Sequence, residues 1–206
     1  MSESPSGTVG LHPAIGLLEF ESIVAGVVAG DAMAKASPVS SLFAGTVYPG
    51  RYLVLVGGDI AAVEVALEAG GTDTVLDSLF LADVHSSVVA ALTTPAVAAP
   101  VDGDALAVLE TLSVATAIVA ADAGVKSADV SLPALRVADD LGGKAYCLFS
   151  GSVADVEAAN ERALQATEHR GGVFRSAVIP QVHGELRDNL VAELRFNGRL
   201  RGGGEA

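Results

Sequence analysis

One stretch of this chain occurs twice. Residues 14–36 read AIGLLEFESIVAGVVAGDAMAKA and return at 105–127 as ALAVLETLSVATAIVAADAGVKS, displaced by 91 positions. Ala14, Leu18, Glu19, Ser22, Val28, Ala29, Asp31, Ala32 and Lys35 meet Ala105, Leu109, Glu110, Ser113, Val119, Ala120, Asp122, Ala123 and Lys126. Most other pairs exchange one small apolar residue for another. Gly58, Val63 and Glu64 then meet Gly151, Val156 and Glu157 at a displacement of 93, and Leu81–His85 meets Ile179–His183 at 98. The order is kept while the displacement drifts, as loop insertions produce. A period this long is a duplicated domain, not a solenoid repeat of roughly 20–50 residues.

The repeat divides the 206 residues into two domains of about 90 each. The boundaries fall at 13–94 and 104–194, with a linker at 95–103 and a tail at 195–206. The linker, TTPAVAAPVDG with its flanks, carries Pro95 and Pro100 against regular structure. Each domain is small and buries a modest core, which favours packing on further subunits. Asp31, Lys35, Gly57, Gly58 and Asp122 interrupt the apolar runs, so no continuous span of roughly 20 apolar residues exists. Met1–Gly10 is Ser/Gly/Pro-rich, with neither the basic start nor the apolar core of a signal peptide. A cytoplasmic protein is expected. The net charge of −13 excludes a general nucleic-acid binder, which needs a basic face. The single cysteine, Cys147, lies in an apolar run and reads as a buried small hydrophobe.

The local patterns alternate in type. Ala14–Phe20 is a continuous apolar run, hence a buried strand. Ser22 is placed to cap a helix over Ile23–Ala36, and Pro38 stops it. Gly26 and Gly30 lower helix propensity and are expected to admit another backbone. Ser40–Val47 and Arg51–Val56 are strands about a Tyr48-Pro49-Gly50 turn. Gly57-Gly58-Asp59 is expected to turn and cap a helix over Ile60–Ala69. Val75–Val84 is a strand and Ser87–Leu92 a short helix. The second copy repeats this as strand Leu106–Leu109, helix Ala115–Lys126, strands Leu135–Ala138 and Ala145–Phe149, helix Val153–Thr167, strand Val173–Ile179 and helix Glu185–Leu194. The order β-α-β-β-α-β predicts an α+β fold, the ferredoxin-like split βαβ arrangement, in tandem.

No motif promises bond-making chemistry. Gly57-Gly58-Asp59 lacks the Lys and Ser/Thr of a phosphate loop. His12, His85, His169 and His183 are far apart and share no metal-ligand spacing. His85 and His183 are repeat-equivalent, which suggests a structural cap or interface role in each copy. Glu19 and Glu110 each stand between a strand and a helix start, which suits a dipole or packing role.

The strings AIGLLEFESIVAGVVAGDAMAKA, GTVYPGRYLVLVGGDIAAVEVALEAG and LDSLFLADVHSSV resemble the bacterial microcompartment shell domain. So do VLETLSVATAIVAADAGVKS, GGKAYCLFSGSVADVEAAN and VIPQVHGEL of the second copy, so the resemblance covers about Pro13–Val191. Two unpermuted domains are similar to the tandem class of that family, and most in pattern to the tandem shell protein of propanediol-utilising compartments. The resemblance implies a homotrimer whose six domains imitate a hexagon, a pseudohexamer that tiles into a shell beside other shell proteins and around encapsulated enzymes. It implies no enzyme activity and no membrane partner.

The resemblance also assigns residues. A central pore for small metabolites would be lined by Val47, Tyr48, Pro49 and Gly50 of one turn and Asp139, Asp140, Leu141, Gly142 and Gly143 of the other. Lys35 and Lys126 match the family's edge lysines, and His85 and His183 join them as tiling-interface residues. The resemblance to the propanediol-compartment protein implies an iron–sulfur cluster at the threefold axis, held through one cysteine per subunit in the turn of the first domain. Here Tyr48 occupies that position, and thiolates rather than phenols ligate such clusters. No cofactor and no metal are therefore expected. Two alternatives stand beside the structural reading: a redox shell subunit carrying such a cluster, and a soluble ferredoxin-like sensor with a ligand between its domains.

Overall fold

A computed structural model describes residues 14–93, 101, 103–137 and 141–191, the side chain of Val191 excepted. Residues 1–13, 94–100, 102, 138–140 and 192–206 lie outside the described residues, among them most of the 95–103 linker, Ala138 at the end of an expected strand, Asp139, Asp140 and the tail. The elements run β1 (Ala14–Phe20), α1 (Ile23–Ala36), β2 (Ser41–Val47), β3 (Arg51–Gly58), α2 (Ile60–Gly70), β4 (Val75–Leu81) and α3 (Ser86–Thr93). Then follow β5 (Ala105–Thr111), α4 (Val114–Val125), β6 (Ser131–Val137), β7 (Ala145–Gly151), α5 (Val153–Thr167), a 3-10 turn (Glu168–Arg170), β8 (Val173–Ile179) and α6 (Gly184–Val191). The sheets have the orders β2-β3-β1-β4 and β6-β7-β5-β8, one ferredoxin-like topology built twice.

The central strands explain the repeat. β1 and β5 are each paired along both edges by antiparallel neighbours and are buried on both faces over nearly their whole length, which suits a nearly unbroken apolar run. The helix that follows starts at a serine. Ser22 Oγ accepts the Ala25 amide at 3.3 Å and Ser113 Oγ the Thr116 amide at 3.1 Å. That hydroxyl satisfies one of the orphan donors of a first turn. α1 ends at Ala36 because Ser37, two residues on from Lys35 and just before Pro38, is extended.

Contact density divides the chain into two units. Among the described residues, one joins Ala14–Thr46 with Tyr52–Val84; the other joins Val47–Arg51 with those from His85 onward. The β2–β3 turn and α3 thus belong to the second unit, although both come from the first copy. In the first unit Leu18, Phe20, Val54 and Val56 of the sheet pack against Ala29 and Met33 of α1 and Val63 and Ala66 of α2. In the second, α4 and α5 pack together and on the sheet. Leu106, Ala134 and Leu148 form a further cluster with Val182, against which Leu190 of α6 lies.

Several boundaries differ from the sequence reading, each for a physical reason. Gly57 and Gly58 continue β3 instead of turning, paired with Ile15 and Ala14. β6 begins at Ser131, four residues before the expected Leu135, and includes Pro133. It is an edge strand whose ladder slips between Ser131 and Ala134, the setting in which a strand tolerates proline. β4 stops at Leu81, and His85 belongs to the start of α3. Gly26 and Gly30 meet side chains, not a backbone: a Cβ on Gly26 would enter Tyr52, and one on Gly30 would touch Val54 at 3.5 Å. Among the described residues no helix is long and apolar enough to cross a membrane.

Candidate functional site: two turns and a repeated acid–lysine pair

The β2–β3 turn is tight because its residues leave little choice. Gly50 holds φ +116°, a region that favours glycine, and its amide donates to Val47 O at 2.9 Å. The Tyr48–Pro49 peptide is cis, and the Tyr48 side chain is exposed. The β6–β7 turn uses the same chemistry: Gly142 and Gly143 have φ +64° and +82°, and Lys144 donates its amide to Leu141 O at 3.2 Å.

Within the second unit the two turns are neighbours. Arg51 Nη1 donates to Gly143 O at 3.1 Å and to Leu112 O at 3.2 Å. The missing side chain of Gly143 makes room for this. A Cβ there would stand 3.1 Å from Arg51 Cζ and 3.3 Å from Pro49 Cδ. The structure thus brings Pro49 together with Gly143. Arg51 had no role in the sequence reading; its signal was that Lys144 stands at the equivalent position. Lys144 holds Glu110 Oε1 at 2.6 Å and covers the Phe174 ring at 3.9 Å from its centroid.

The second constellation recurs on α1 and α4. Lys35 Nζ meets Asp31 Oδ2 at 2.6 Å, and Lys126 Nζ meets Asp122 Oδ2 at 2.7 Å, each one turn apart. The first pair is exposed, whereas the Asp122 carboxylate is buried. Its other oxygen accepts the His85 amide at 2.8 Å, at the head of α3. His85 Nδ1 lies 2.8 Å from Ser87 Oγ, and His85 O accepts the Val88 amide at 3.0 Å. His183 stands at the head of α6, where its carbonyl accepts the Arg187 amide at 3.0 Å. Asp31 and Asp122 were visible as a repeat match, but only the structure gives them this function.

The residues do not suit a thiolate-held cluster. Tyr48 offers a phenol, and Cys147 is buried in β7, where desolvation pushes its thiol up to about 12. Among the described residues no group of three or more His, Cys, Asp or Glu is placed to hold a metal.

Fold and site together define a class: a chain with two tandem, unpermuted copies of one α+β domain, each with a hairpin turn and an acid–lysine helix in equivalent places. The family model described as the BMC domain matches residues 14–93 and again 105–182. The chain is 37% identical over 187 residues to the bacterial microcompartment shell protein PduT of Citrobacter freundii, a match covering 88% of this chain and 99% of that protein. A microcompartment protein of Desulfitobacterium hafniense DCB has a crystal structure that superposes with TM-score 0.72 at 38% identity, covering 86% of this chain and 99% of that one. A fused permuted hexameric shell protein from the RMM microcompartment shares the fold at TM-score 0.53 and 20% identity, over 75% of this chain and 83% of that one. The chain belongs to the BMC-domain family and is a tandem-domain shell protein of bacterial microcompartments.

Proposed function

We propose that three copies of this chain close into a pseudohexamer that tiles the shell of a microcompartment in the cytoplasm and leaves a narrow central pore. Val47–Gly50 and the turn from Asp139 to Gly143 line that pore, and Tyr48 narrows it. The observation that carries this reading is the Arg51 brace, which holds the two turns side by side as walls of one opening require. If Asp139 and Asp140 face the lumen, their charge retards anions and passes neutral or cationic metabolites more readily. Lys35 and Lys126, with the His85 and His183 rings, form the rim that meets other shell proteins. Shape and charge perform this work, without turnover, cofactor or nucleic acid, while encapsulated enzymes act inside.

Light scattering on the purified protein tests the assembly, and electron microscopy tests the tiling. The expected results are a mass of three chains and flat hexagonal sheets. A single chain at every concentration, or turnover of a substrate by the isolated protein, would overturn the reading.

A further inference from the structure

The second sheet carries a line of charge that the first does not. Its ladders set Arg136 of β6 beside Tyr146 of β7, Tyr146 beside Glu110 of β5, and Glu110 beside Arg175 of β8. Cross-strand partners share a face, so these four side chains stand in one row across the sheet. Arg175 is exposed, and Arg136, Tyr146 and Glu110 are half-buried. Two residues along the same strands the face turns apolar, and Ala134, Leu148 and Val108 pack together with Leu190 of α6. The charged row lies at the other end, at the foot of the β6–β7 turn. Among the described residues neither Arg136 nor Arg175 meets a carboxylate. Glu110 stands between them in the row, but Lys144 already holds it, with Nζ 2.6 Å from Oε1. The first copy builds the same strands with Thr46 for Arg136, Leu53 for Tyr146 and Asp77 for Arg175, and keeps only the glutamate, as Glu19. The ladder therefore needs no arginine. With Lys144 and Glu110 offsetting each other, the row keeps an excess of two positive charges in a chain of net charge −13.

We infer that this row binds a small dianion, a phosphate ester or a dicarboxylate. The charge excess matches two negative charges, and a guanidinium donates paired hydrogen bonds to a phosphate or a carboxylate alike. Arg136 and Arg175 start three strand spacings apart, about 14 Å, and their long side chains close on the anion from the two ends of the row. The Tyr146 ring forms the floor between them. Glu110, neutralised by Lys144, does not repel the ligand. The site is built from one sheet of one chain, so it does not depend on three copies closing into a ring. In the assembly proposed above it holds a dianion at the foot of a pore-lining turn.

Titration of the purified protein at low ionic strength tests the site, with phenyl phosphate in one arm and succinate in the other. The expected result is saturable binding of one dianion per chain in at least one arm, and the arm that binds names the group recognised. Arg136→Thr and Arg175→Gln are each expected to weaken that binding about tenfold or more, since each removes a charge-assisted partner. Arg162→Gln, at an exposed place on α5, is expected to leave it unchanged. Melting of each variant reports its fold, and Thr46 at the equivalent place shows that such a strand accepts threonine. No saturable binding of either dianion at millimolar concentration would overturn the site. So would undiminished affinity in both row variants, or equal weakening by Arg162→Gln, which would mark a diffuse attraction. Those outcomes leave the trimer standing, whereas a protein that binds the dianion as a single chain at every concentration would overturn the trimer alone.

Discussion

Cys147 shows how one residue's surroundings decide its chemistry. It stands in β7 opposite Leu109, where the first copy has Val54 opposite Leu18. Burial raises its thiol from an ordinary 9.0 to about 12, because the thiolate has no solvent there. A raised acid of this kind favours the folded state while the thiol is neutral in both states. That contribution is full below about pH 9 and is lost as the pH climbs toward 12. Native protein at pH 8 is therefore expected to react with an aromatic disulfide reagent only at its unfolding rate. Tyr48→Cys supplies the contrast: an exposed turn thiol is expected to react within seconds, adding one fast equivalent per chain. Rapid reaction of the unaltered protein would show that the β7 core is open.

At the scale of elements, the two copies fill equivalent cores with complementary volumes. In the first, Gly26 of α1 faces Tyr52, and Met33 shares a core with Val56; in the second the equivalent places hold Ala117 and Ala145, and Gly124 against Phe149. A helical Gly→Ala change ordinarily gains about 1 kcal/mol. At Gly26 the new Cβ would lie 2.7 Å from Tyr52 Cβ and Cγ, atoms close to the strand that cannot swing away. Overpacking of about 1–3 kcal/mol therefore wins, and Gly26→Ala is expected to lower the denaturation midpoint. In a Tyr52→Ala background the same change is expected to stabilise, since the second copy already carries that pair. A double-mutant cycle in urea reads the change of sign; equal effects in both backgrounds would refute the packing. This pairing also marks what the sequence made legible. Strand and helix identities followed from apolar runs and serine caps, which are local. The meeting of Gly26 with Tyr52, the extension of β3 through Gly57 and Gly58, and the start of β6 before Pro133 depend on strand pairing, which no local pattern encodes. The turns at Tyr48 and Gly142 were legible from Pro and Gly, but not the Arg51 brace that joins them. Arg51→Ala is expected to speed amide exchange at Gly143 and Lys144 by about tenfold, the effect of losing roughly 1.4 kcal/mol of hydrogen bonding. Unchanged exchange there would remove the brace from the account.

For the whole molecule, the question is which contacts make the ring and which make the sheet. A ring contact that covers exposed apolar side chains such as Val24, Val27 and Val28 of α1 is expected to resist salt. In the proposed rim Lys35 and Lys126 meet the neighbouring tile, and each pairs with an aspartate one helical turn away, Asp31 and Asp122. The Lys35–Asp31 pair is exposed and contributes only about 0.3–0.5 kcal/mol to its own helix, so losing Lys35 leaves the fold nearly unchanged, whereas removing Lys126 would strip a buried carboxylate of its cation. The importance of Lys35 for tiling comes from number, because each tile repeats the contact at every edge and weak contacts combine through avidity. The net charge of −13 sharpens this, since acidic tiles repel one another and rim cations offset the repulsion. The Lys35→Ala variant is therefore expected to keep the mass of the trimer and its melting temperature within a few degrees. Its sheets are expected to vanish from electron micrographs. In the unaltered protein, salt is expected to act in two directions on tiling, weakening lysine contacts at the seam while screening the repulsion between tiles. The trimer mass is the decisive control: if the Lys35→Ala variant falls to single chains, Lys35 belongs to the ring, and the division of labour drawn here is wrong.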